Sequence, residues 1–469
     1  MTDFMEKFAK ILGAMGDFLY TWILVALLII TGLYFSIRTR FVQIRLLPES
    51  LKVIVEKKSN PGISSFQALM ISTASRVGTG NIVGVALAIG TGGPGAVFWM
   101  WVLAIIGSAS AFIESTLAQI YKTKDENGFR GGPAYYIQTA LKSRPLGILF
   151  SILLIACFAF GFNALQAFNI GDSLKYYFPN YSDSIIPTVL GLTLAILTGI
   201  TIYGGVKRIG FITSVIVPIM ALIYICLGLF ITIKNINFLP GVFKNIFVEA
   251  FNFKAIFGGG VGAFTSSCVM QGIKRGLFSN EAGMGSAPNA AATADVSHPV
   301  KQGLVQMFSV FIDTIFICST TAMILLCSGV SEGTGIQYVQ NAVNANVGKL
   351  GIHFISIAIF LFAFSSLIGN YCYAEANVKF IKDNKTVLNI FRLCCLIMIF
   401  FGTQMSLDAA WNLADLLMGF MAIVNIIAIV SLGNIAIKCL KNYTDQKKQG
   451  KEPVFKAKDI GLDNTEYWK

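Results

Sequence analysis

Long apolar runs recur along almost the whole chain, and they constrain the fold more than any other feature. Each run has about 18 to 25 residues, enough for a helix rising roughly 1.5 Å per residue to cross a hydrocarbon core of about 30 Å. Hydrophobic residues fill 55% of the 469 positions and charged residues only 13%, which excludes the class of soluble globular proteins. We therefore predict an all-α polytopic membrane protein with eleven transmembrane helices, at about residues 18–36, 66–90, 95–121, 146–172, 185–203, 210–233, 256–277, 303–328, 353–378, 387–404 and 411–437.

The basic residues predict the orientation of these helices. If the amino terminus lies outside, 27 of the 36 Lys and Arg residues fall on the cytoplasmic side, and Lys274, Arg275 and Lys301 are counted among these anchors. Such an excess is the positive-inside pattern, so we predict an N-out, C-in topology. It also accounts for the formal charge of +12, so nucleic acid is not predicted as a partner.

The nine cysteines and two histidines give little support for an enzyme or a metal centre. The cysteines lie in or beside apolar segments without a C-x-x-C pair, which is typical of packing residues. The sequence also lacks the H-E-x-x-H and G-x-S-x-G motifs. We therefore predict no catalytic residues and no bound cofactor, and the oligomeric state stays open.

The predicted helices form two sets of five with opposite orientation, at residues 66–233 and 256–437. That parity is what an inverted repeat requires. The remaining parts are residues 1–36 with the first helix, an interfacial segment at 37–65, an extracellular connection at 234–255, and a basic cytoplasmic tail at 438–469 that is predicted to be mobile.

Glycine and hydroxyl residues interrupt the first helix of each set. The stretch "STASRVGTGNIVG" (72–84) contains three glycines beside an intramembrane arginine, Arg76, and "FGGGVGAFTSSCVMQG" (257–272) contains five glycines. Each interior glycine weakens a helix by roughly 1 kcal/mol, and unwound backbone at membrane depth persists only where it is buried in protein or lines a cavity. Glycines can also serve close helix packing, but packing does not call for a cation. The matched interruptions predict two broken helices with a binding site between them.

Two longer motifs resemble the alanine/glycine:cation symporter family of bacteria and archaea. They read "SRVGTGNIVGVALAIGTGGPGAVFWMW" and "KRGLFSNEAGMGSAPNAAATAD", and "HPVKQGLVQMFSVFIDT" follows them. The resemblance covers about residues 18–437 and implies a five-plus-five inverted repeat fold of the amino acid-polyamine-organocation type. It also implies sodium-coupled import of small neutral amino acids across a prokaryotic plasma membrane, with Na⁺ as the co-transported ion. A proton-coupled or uncoupled amino acid permease on the same fold is the alternative.

A zwitterionic substrate needs an anion site and a cation site close together, and a broken helix supplies both through its free N–H groups and carbonyls. We expect the N–H groups of Thr79, Gly80 and Asn81 to bind the substrate carboxylate. Asn370 stands where many family members have Trp, so a longer substrate such as glutamine is one interpretation and a plain helix contact is the other. The other predicted substrate-binding residues are Gln166 and Asn169 on a polar helix face, Gln271, and Gly262, Phe264 and Thr265 on the opposite wall.

Resemblance to the broader fold also implies sodium ligands. These are the side chain of Asn81, the carbonyls of Ala74 and Val77, and the hydroxyls of Ser365 and Ser366, although paired hydroxyls also serve as interhelical contacts. Intramembrane acids are costly and are therefore functional or paired. Asp313 is predicted either to neutralise sodium or to hold Arg76. The other candidate partners for an intramembrane ion pair with that arginine are Glu114 and Glu281.

Overall fold

The protein is almost entirely helical in the computed structural model, which describes residues 2–56, 63–125, 128–251, 267–330 and 333–468. Within these ranges, eight helices are long and apolar enough to cross a membrane, and two further apolar helical segments are shorter. The main helices are α1 (Ala9–Arg38), α2 (Ser65–Arg76), α3 (Val83–Gly92), α4 (Gly95–Ile120), α5 (Arg144–Leu174), α6 (Ile186–Ile202), α7 (Gly205–Lys234), α8 (Ser267–Asn280), α9 (Pro299–Cys327), α10 (Lys349–Ile381), α11 (Lys385–Gly402) and α12 (Leu407–Lys448).

Local sequence signals set where several helices begin. Ser64 caps α2 by accepting a hydrogen bond from the Gln67 N–H, and the Gln67 side chain returns the bond, which forms a capping box. Ser406 caps α12 and Asn384 caps α11, each by accepting backbone N–H hydrogen bonds through one side-chain oxygen. These caps satisfy N–H groups that would otherwise lack acceptors at the helix starts.

The first predicted interruption is confirmed between α2 and α3. Helix α2 ends at Arg76, the backbone of Val77 and Gly78 leaves the helical conformation, and a short 3₁₀ turn covers Thr79–Asn81. Helix α3 then begins at Val83. The whole stretch is buried, as unwound backbone in a membrane protein has to be.

The second set of helices is also interrupted, but at a place the sequence analysis did not predict. The glycine-rich stretch at 258–265, and with it Gly262, Phe264 and Thr265, lies outside the described residues. Helix α8 ends at Asn280, residues 281–287 are non-helical, and a short helix, Pro288–Thr293, follows. The predicted span, 256–277, therefore ended three residues before the helix does. The non-helical residues 281–287, which were not part of that span, are buried in the bundle.

Helix α4 is central to the bundle. It packs against α1, α8 and α9, and helices α5 and α10 pack against each other on the other side of the α2–α3 bend. Three long helices contain π-helical turns, at Tyr20–Leu24, Ile155–Phe162 and Phe311–Cys318. The predicted interfacial segment holds two short helices, Val42–Arg45 and Leu47–Val55.

The ordered C-terminal segment contradicts the prediction of a mobile tail. Helix α12 continues to Lys448, and residues 453–468 then fold back onto the end of the bundle. There they meet a two-stranded antiparallel hairpin formed by β1 (Thr123–Asp125) and β2 (Gly128–Arg130). Apolar side chains of the segment, among them Phe455 and Trp468, are buried, and this burial opposes the mobility expected from its lysine content.

Candidate functional site

The bend between α2 and α3 forms one wall of a buried polar site, and α10 packs closely against it. A Cβ atom added to Gly78 would lie 2.3 Å from Ser366 Oγ, so only glycine allows this approach. Gly369 lies one turn further along α10, and a Cβ atom added to it would lie 2.7 Å from the backbone N of Ser75. Gly78 therefore lets the Ser366 side chain reach the bend, and Gly369 lets the backbone of α10 approach that of α2.

Helix α5 contributes the polar face that the sequence predicted. Gln166 Oε1 accepts a hydrogen bond from the Thr79 N–H (3.1 Å), and Asn169 Nδ2 donates to Thr79 Oγ1 (2.8 Å). The Asn81 N–H donates to the Gly78 carbonyl (3.3 Å). Two of the three N–H groups expected to bind a carboxylate thus have protein acceptors here, so an incoming carboxylate would have to displace Gln166 from Thr79.

A cluster of oxygen atoms surrounds Asp313 on the opposite side of the bend. Its carboxylate accepts hydrogen bonds from Asn81 Nδ2 (2.6 Å), Ser279 Oγ (2.6 Å) and Thr314 Oγ1 (2.9 Å). The hydroxyl of Thr321 donates to the Asn81 carbonyl at 2.6 Å. All five side chains are fully buried. Carboxylate and hydroxyl oxygens are ligand types that hard cations prefer. The Asn81 side chain, predicted as a sodium ligand, instead presents its NH₂ group to Asp313, while its Oδ1 accepts from the Gly78 N–H at 3.0 Å.

The second predicted sodium set is only partly assembled. Ser366 Oγ donates to the Ala74 carbonyl at 2.9 Å, and Val77 is buried in the same bend. Ser365 Oγ donates instead to the Phe362 carbonyl (2.9 Å) and contacts Met220 Sδ of α7 at 4.0 Å. The structure therefore places Ser366 at the bend and gives Ser365 a contact with α7.

Arg76 forms its ion pair with Glu281, one of the three acids that the sequence left open. Its Nε lies 3.8 Å from Glu281 Oε2, both side chains being buried, and its Nη1 also bonds to Ser309 Oγ. Ser75 Oγ links this pair to Asn370, lying 3.0 Å from Glu281 Oε1 and 2.7 Å from Asn370 Oδ1.

Asn370 extends the same network to α5. Its Nδ2 donates to Asn163 Oδ1 at 3.0 Å, one helical turn from Gln166. Polar contacts therefore continue from the α2–α3 bend to the Arg76–Glu281 pair through α5 and α10.

Glu114 stabilises the second non-helical stretch instead of pairing with Arg76. Its two carboxylate oxygens accept from the N–H groups of Gly283 (3.3 Å) and Gly285 (3.1 Å), and Asn425 Nδ2 donates to it at 2.7 Å. Both glycines have positive φ, +83° and +88°, a conformation that other residues rarely adopt. A buried carboxylate bound to two backbone N–H groups fixes this loop beside the bend.

Aromatic rings cover the bend from the side of α8. An added Cβ at Gly80 would lie 2.5 Å from a ring atom of Phe278, so this ring rests directly on the glycine backbone. Phe278 in turn contacts Phe162 and Trp411, with ring centroids 4.7 and 5.0 Å apart. These three residues were not predicted, because aromatic residues in apolar helices look like ordinary core.

Lys274 and Arg275 are buried and ion-paired, which contradicts their prediction as cytoplasmic anchors. Arg275 binds Asp415 of α12 through two hydrogen bonds (3.1 and 3.0 Å), and Lys274 Nζ lies 2.9 Å from the same carboxylate. The Arg275 guanidinium also lies 4.4 Å from the Trp411 ring centroid. A count of charges cannot distinguish a membrane anchor from a buried ion pair. The sequence could not indicate the pair here, because Asp415 lies 140 residues from Arg275 along the chain.

Gln271, a predicted substrate-binding residue, lies apart from this site. Its Cβ is 3.0 Å from the ideal Cβ position of Gly92, the last residue of α3. At 1.5 Å per residue, the length of α3 places it about 15 Å from the bend. Conversely, Ser75, Ser279 and Phe278 belong to the site, and their only sequence signal was membership in the two quoted motifs.

The chain matches a model of the sodium:alanine symporter family over residues 5–457. It is 50% identical over 468 residues to the amino-acid carrier protein AlsT of Bacillus subtilis, covering 99% of this chain and 98% of the relative. It is 48% identical to the probable sodium/glutamine symporter GlnT of Bacillus subtilis, covering 96% and 93%. It is 37% identical to the sodium/alanine symporter AgcS of Methanococcus maripaludis, covering 94% and 98%.

Among solved structures, MhsT in complex with L-phenylalanine is similar to this chain with a TM-score of 0.57 at 15% identity. The match covers 82% of this chain and 99% of that one. This chain therefore has the fold of the MhsT structure. At this level of identity the likeness shows architecture alone.

Proposed function

Because the chain belongs to the sodium:alanine symporter family, we propose that it couples the entry of sodium to the import of small neutral amino acids by alternating access. The observation that carries the proposal is the buried group of oxygens from Asp313, Ser279 and Thr314 beside an unwound helix. Among the described residues, Asp313 forms no ion pair with a Lys or Arg, and an ionised carboxylate is costly inside a membrane protein unless a cation binds it. Sodium would supply that charge.

The substrate would bind on the other side of the bend. Its carboxylate would take the Thr79 and Gly80 N–H groups, with Gln166 moving aside, because the start of α3 directs the positive end of its dipole there. Phe278 would move with Phe162 and Trp411 to admit the substrate, since its ring occupies the approach to Gly80. Return of these rings over the bound substrate would remove water from the site and strengthen the electrostatic contacts inside it.

A second sodium ion would bind at the carbonyls of Ala74 and Val77 with Ser366. The existing Ser366–Ala74 hydrogen bond supports this assignment, because it brings an α10 hydroxyl to the end of α2. Ser365 would join only after rotating away from the Phe362 carbonyl. We keep two sites in the proposal and regard the Asp313 cluster as the stronger one, since it alone contains a charged ligand.

Alanine and glycine are the proposed substrates, and glutamine is included for two reasons. Asn370 and Asn163 form an amide pair below the bend, at a position where amides can bind the side-chain amide of a substrate. In addition, one relative at 48% identity carries the name of a probable sodium/glutamine symporter. We also propose eleven membrane crossings with the amino terminus outside, in the plasma membrane of a prokaryote.

Purified protein in liposomes tests this function. We expect an imposed inward sodium gradient to drive accumulation of labelled alanine at constant pH, and unlabelled glycine and glutamine to compete. Choline in place of sodium is the control for ionic strength. Uptake that is equal in choline, or that follows a proton gradient alone, would establish the alternative permease.

A further inference from the structure

The C-terminal segment, residues 453–468, is bound to the end of the bundle by specific contacts along its length. The Phe455 N–H donates to the Ser297 carbonyl (3.0 Å), and Ser297 Oγ donates to the Pro453 carbonyl (2.9 Å). At the far end, Trp468 Nε1 donates to the Gln119 carbonyl at 2.7 Å. The segment therefore connects α12 to the end of α4 and to the residues before α9.

A buried lysine at the end of α4 is enclosed by aromatic rings, two of which belong to this segment. Lys122 Nζ lies 4.1 Å from the ring centroid of Phe129, 4.6 Å from that of Tyr467 and 4.9 Å from that of Trp468. It also donates to the Ala294 carbonyl at 2.9 Å. Cation–π contacts strengthen when the cation is removed from water, as this one is.

Ion pairs hold the residue just before this segment, Glu452. Lys301 of α9 is buried and lies 2.8 Å from Glu452 and 2.6 Å from Glu56, which follows the short helix Leu47–Val55. The segment is thus attached at both ends to parts of the chain that are distant in sequence. Phe455 and Trp468 of the segment are also buried.

The hairpin held by the segment forms the wall of a cavity. Phe129 contacts Tyr467 at 4.6 Å between ring centroids and, with Asp125, lines a cavity of about 460 Å³. This cavity reaches Ile63, just before α2, and Glu375 on α10, and both helices carry candidate-site residues further along. Lys379 of α10 completes the closure on that side by pairing with Asp125 (3.3 Å) and Glu375 (3.1 Å).

We propose that the C-terminal segment is a strap that holds the β1–β2 hairpin closed over this cavity, and that its release opens the inner mouth of the transport route. The identity of the cavity as part of a transport route rests on the proposed function. The closure by the segment does not, because it follows from contacts between the segment, Lys122 and the hairpin. Opening would require Tyr467 and Trp468 to leave the lysine, which removes the ring contact between Tyr467 and Phe129 of the hairpin.

Cysteine accessibility tests the strap directly. Cys372 is a buried free cysteine that lines the space under the hairpin together with Phe129 and Arg130. In full-length detergent-solubilised protein whose other cysteines are replaced by alanine, we would measure its rate of alkylation by a polar maleimide. The combined substitution Tyr467→Ala and Trp468→Ala should raise this rate about tenfold, the effect of losing two cation–π contacts of modest strength. Val454→Ala, at an exposed position of the same segment, is the matched control and should leave the rate unchanged.

A peptide of residues 451–468 provides the second arm. Added in excess to protein ended at residue 449, it should restore slow alkylation in a saturable manner, whereas a peptide with both aromatic residues replaced by alanine should not. An unchanged rate in both the double variant and the shortened protein would overturn the strap. If alkylation responds but liposomes show no sodium-driven uptake, the proposed function fails while the strap stands; normal uptake with unresponsive alkylation gives the reverse result.

Discussion

Replacing Asp313 with Asn should weaken sodium binding far more than it weakens the fold. The carboxylate accepts three hydrogen bonds of 2.6, 2.6 and 2.9 Å from buried groups. An amide has nearly the same shape and keeps one acceptor oxygen, but it removes the charge. A unit charge about 4 Å from a cation contributes roughly 4 kcal/mol at an effective dielectric constant near 20.

Part of that attraction is offset, because the amide still offers an oxygen and the ionised carboxylate is itself costly to bury. We therefore expect a loss of about 1.4 to 2.8 kcal/mol, a rise of roughly tenfold to a hundredfold in the sodium concentration that gives half-maximal uptake. The assay is the initial rate of labelled alanine uptake into liposomes against sodium concentration, with choline holding the ionic strength constant.

Thr314→Val is the matched control, because it removes one neutral hydroxyl from the same cluster and leaves the carboxylate in place. It should shift the sodium dependence less than Asp313→Asn does, because the charge that attracts the cation stays in place. Size-exclusion profiles must show that both variants are folded. A folded Asp313→Asn protein with the sodium dependence of the parent would refute the assignment of this carboxylate as a sodium ligand.

Three further predictions concern the bend, the ion pair and the tail end of the bundle. Gly80→Ala should abolish uptake, because its Cβ would fall 2.5 Å from the ring that covers it, while Gly84→Ala, with 3.5 Å to its nearest neighbour, should keep most of the parental rate in the same assay. Arg76→Ala should lower the melting temperature, because an unpaired buried Glu281 costs roughly 3 to 5 kcal/mol. Adding Glu281→Gln to this variant should recover part of the loss. Equal melting temperatures for the single and double variants would contradict the pairing. Burial lowers the pKa of His298 from 6.5 to about 4. The neutral side chain therefore contributes fully to the free energy of unfolding above pH 6.5, and this contribution declines as the pH falls toward 4. The variant His298→Asn keeps a capping side chain, and its melting temperature should depend less on pH over that interval.

The interruption of α2 was predictable because its signal is local. Three glycines and a charge within a few residues are incompatible with a regular lipid-facing helix, whatever the rest of the chain does. The polar face of α5 was predictable for the same reason, since Gln166 and Asn169 are three residues apart on one helix. In the structure, both side chains contact Thr79 in the bend.

The interruption at residues 281–287 was not predicted because its signal is tertiary, and no local feature marks this polar stretch as buried. The cations before it, Lys274 and Arg275, pair with Asp415, and Asp17 lies 3.6 Å from Lys274 Nζ. Only the tertiary fold brings these acids near. Partner choice for Arg76 was undecidable for the same reason, because three buried acids satisfied the sequence criterion equally well.

The wide π-helical turns in three of the long helices affect how the sequence of such a bundle can evolve. Each of these turns accommodates an additional residue, which rotates everything beyond it by about 100° about the helix axis. In α9 this offset coincides with the stretch Phe311–Cys318, which holds Asp313. The part of a helix after such a turn can therefore present a different face to the interior of the bundle, while the part before the turn keeps its lipid-facing side. Substrate preference and fit to the membrane can then change separately.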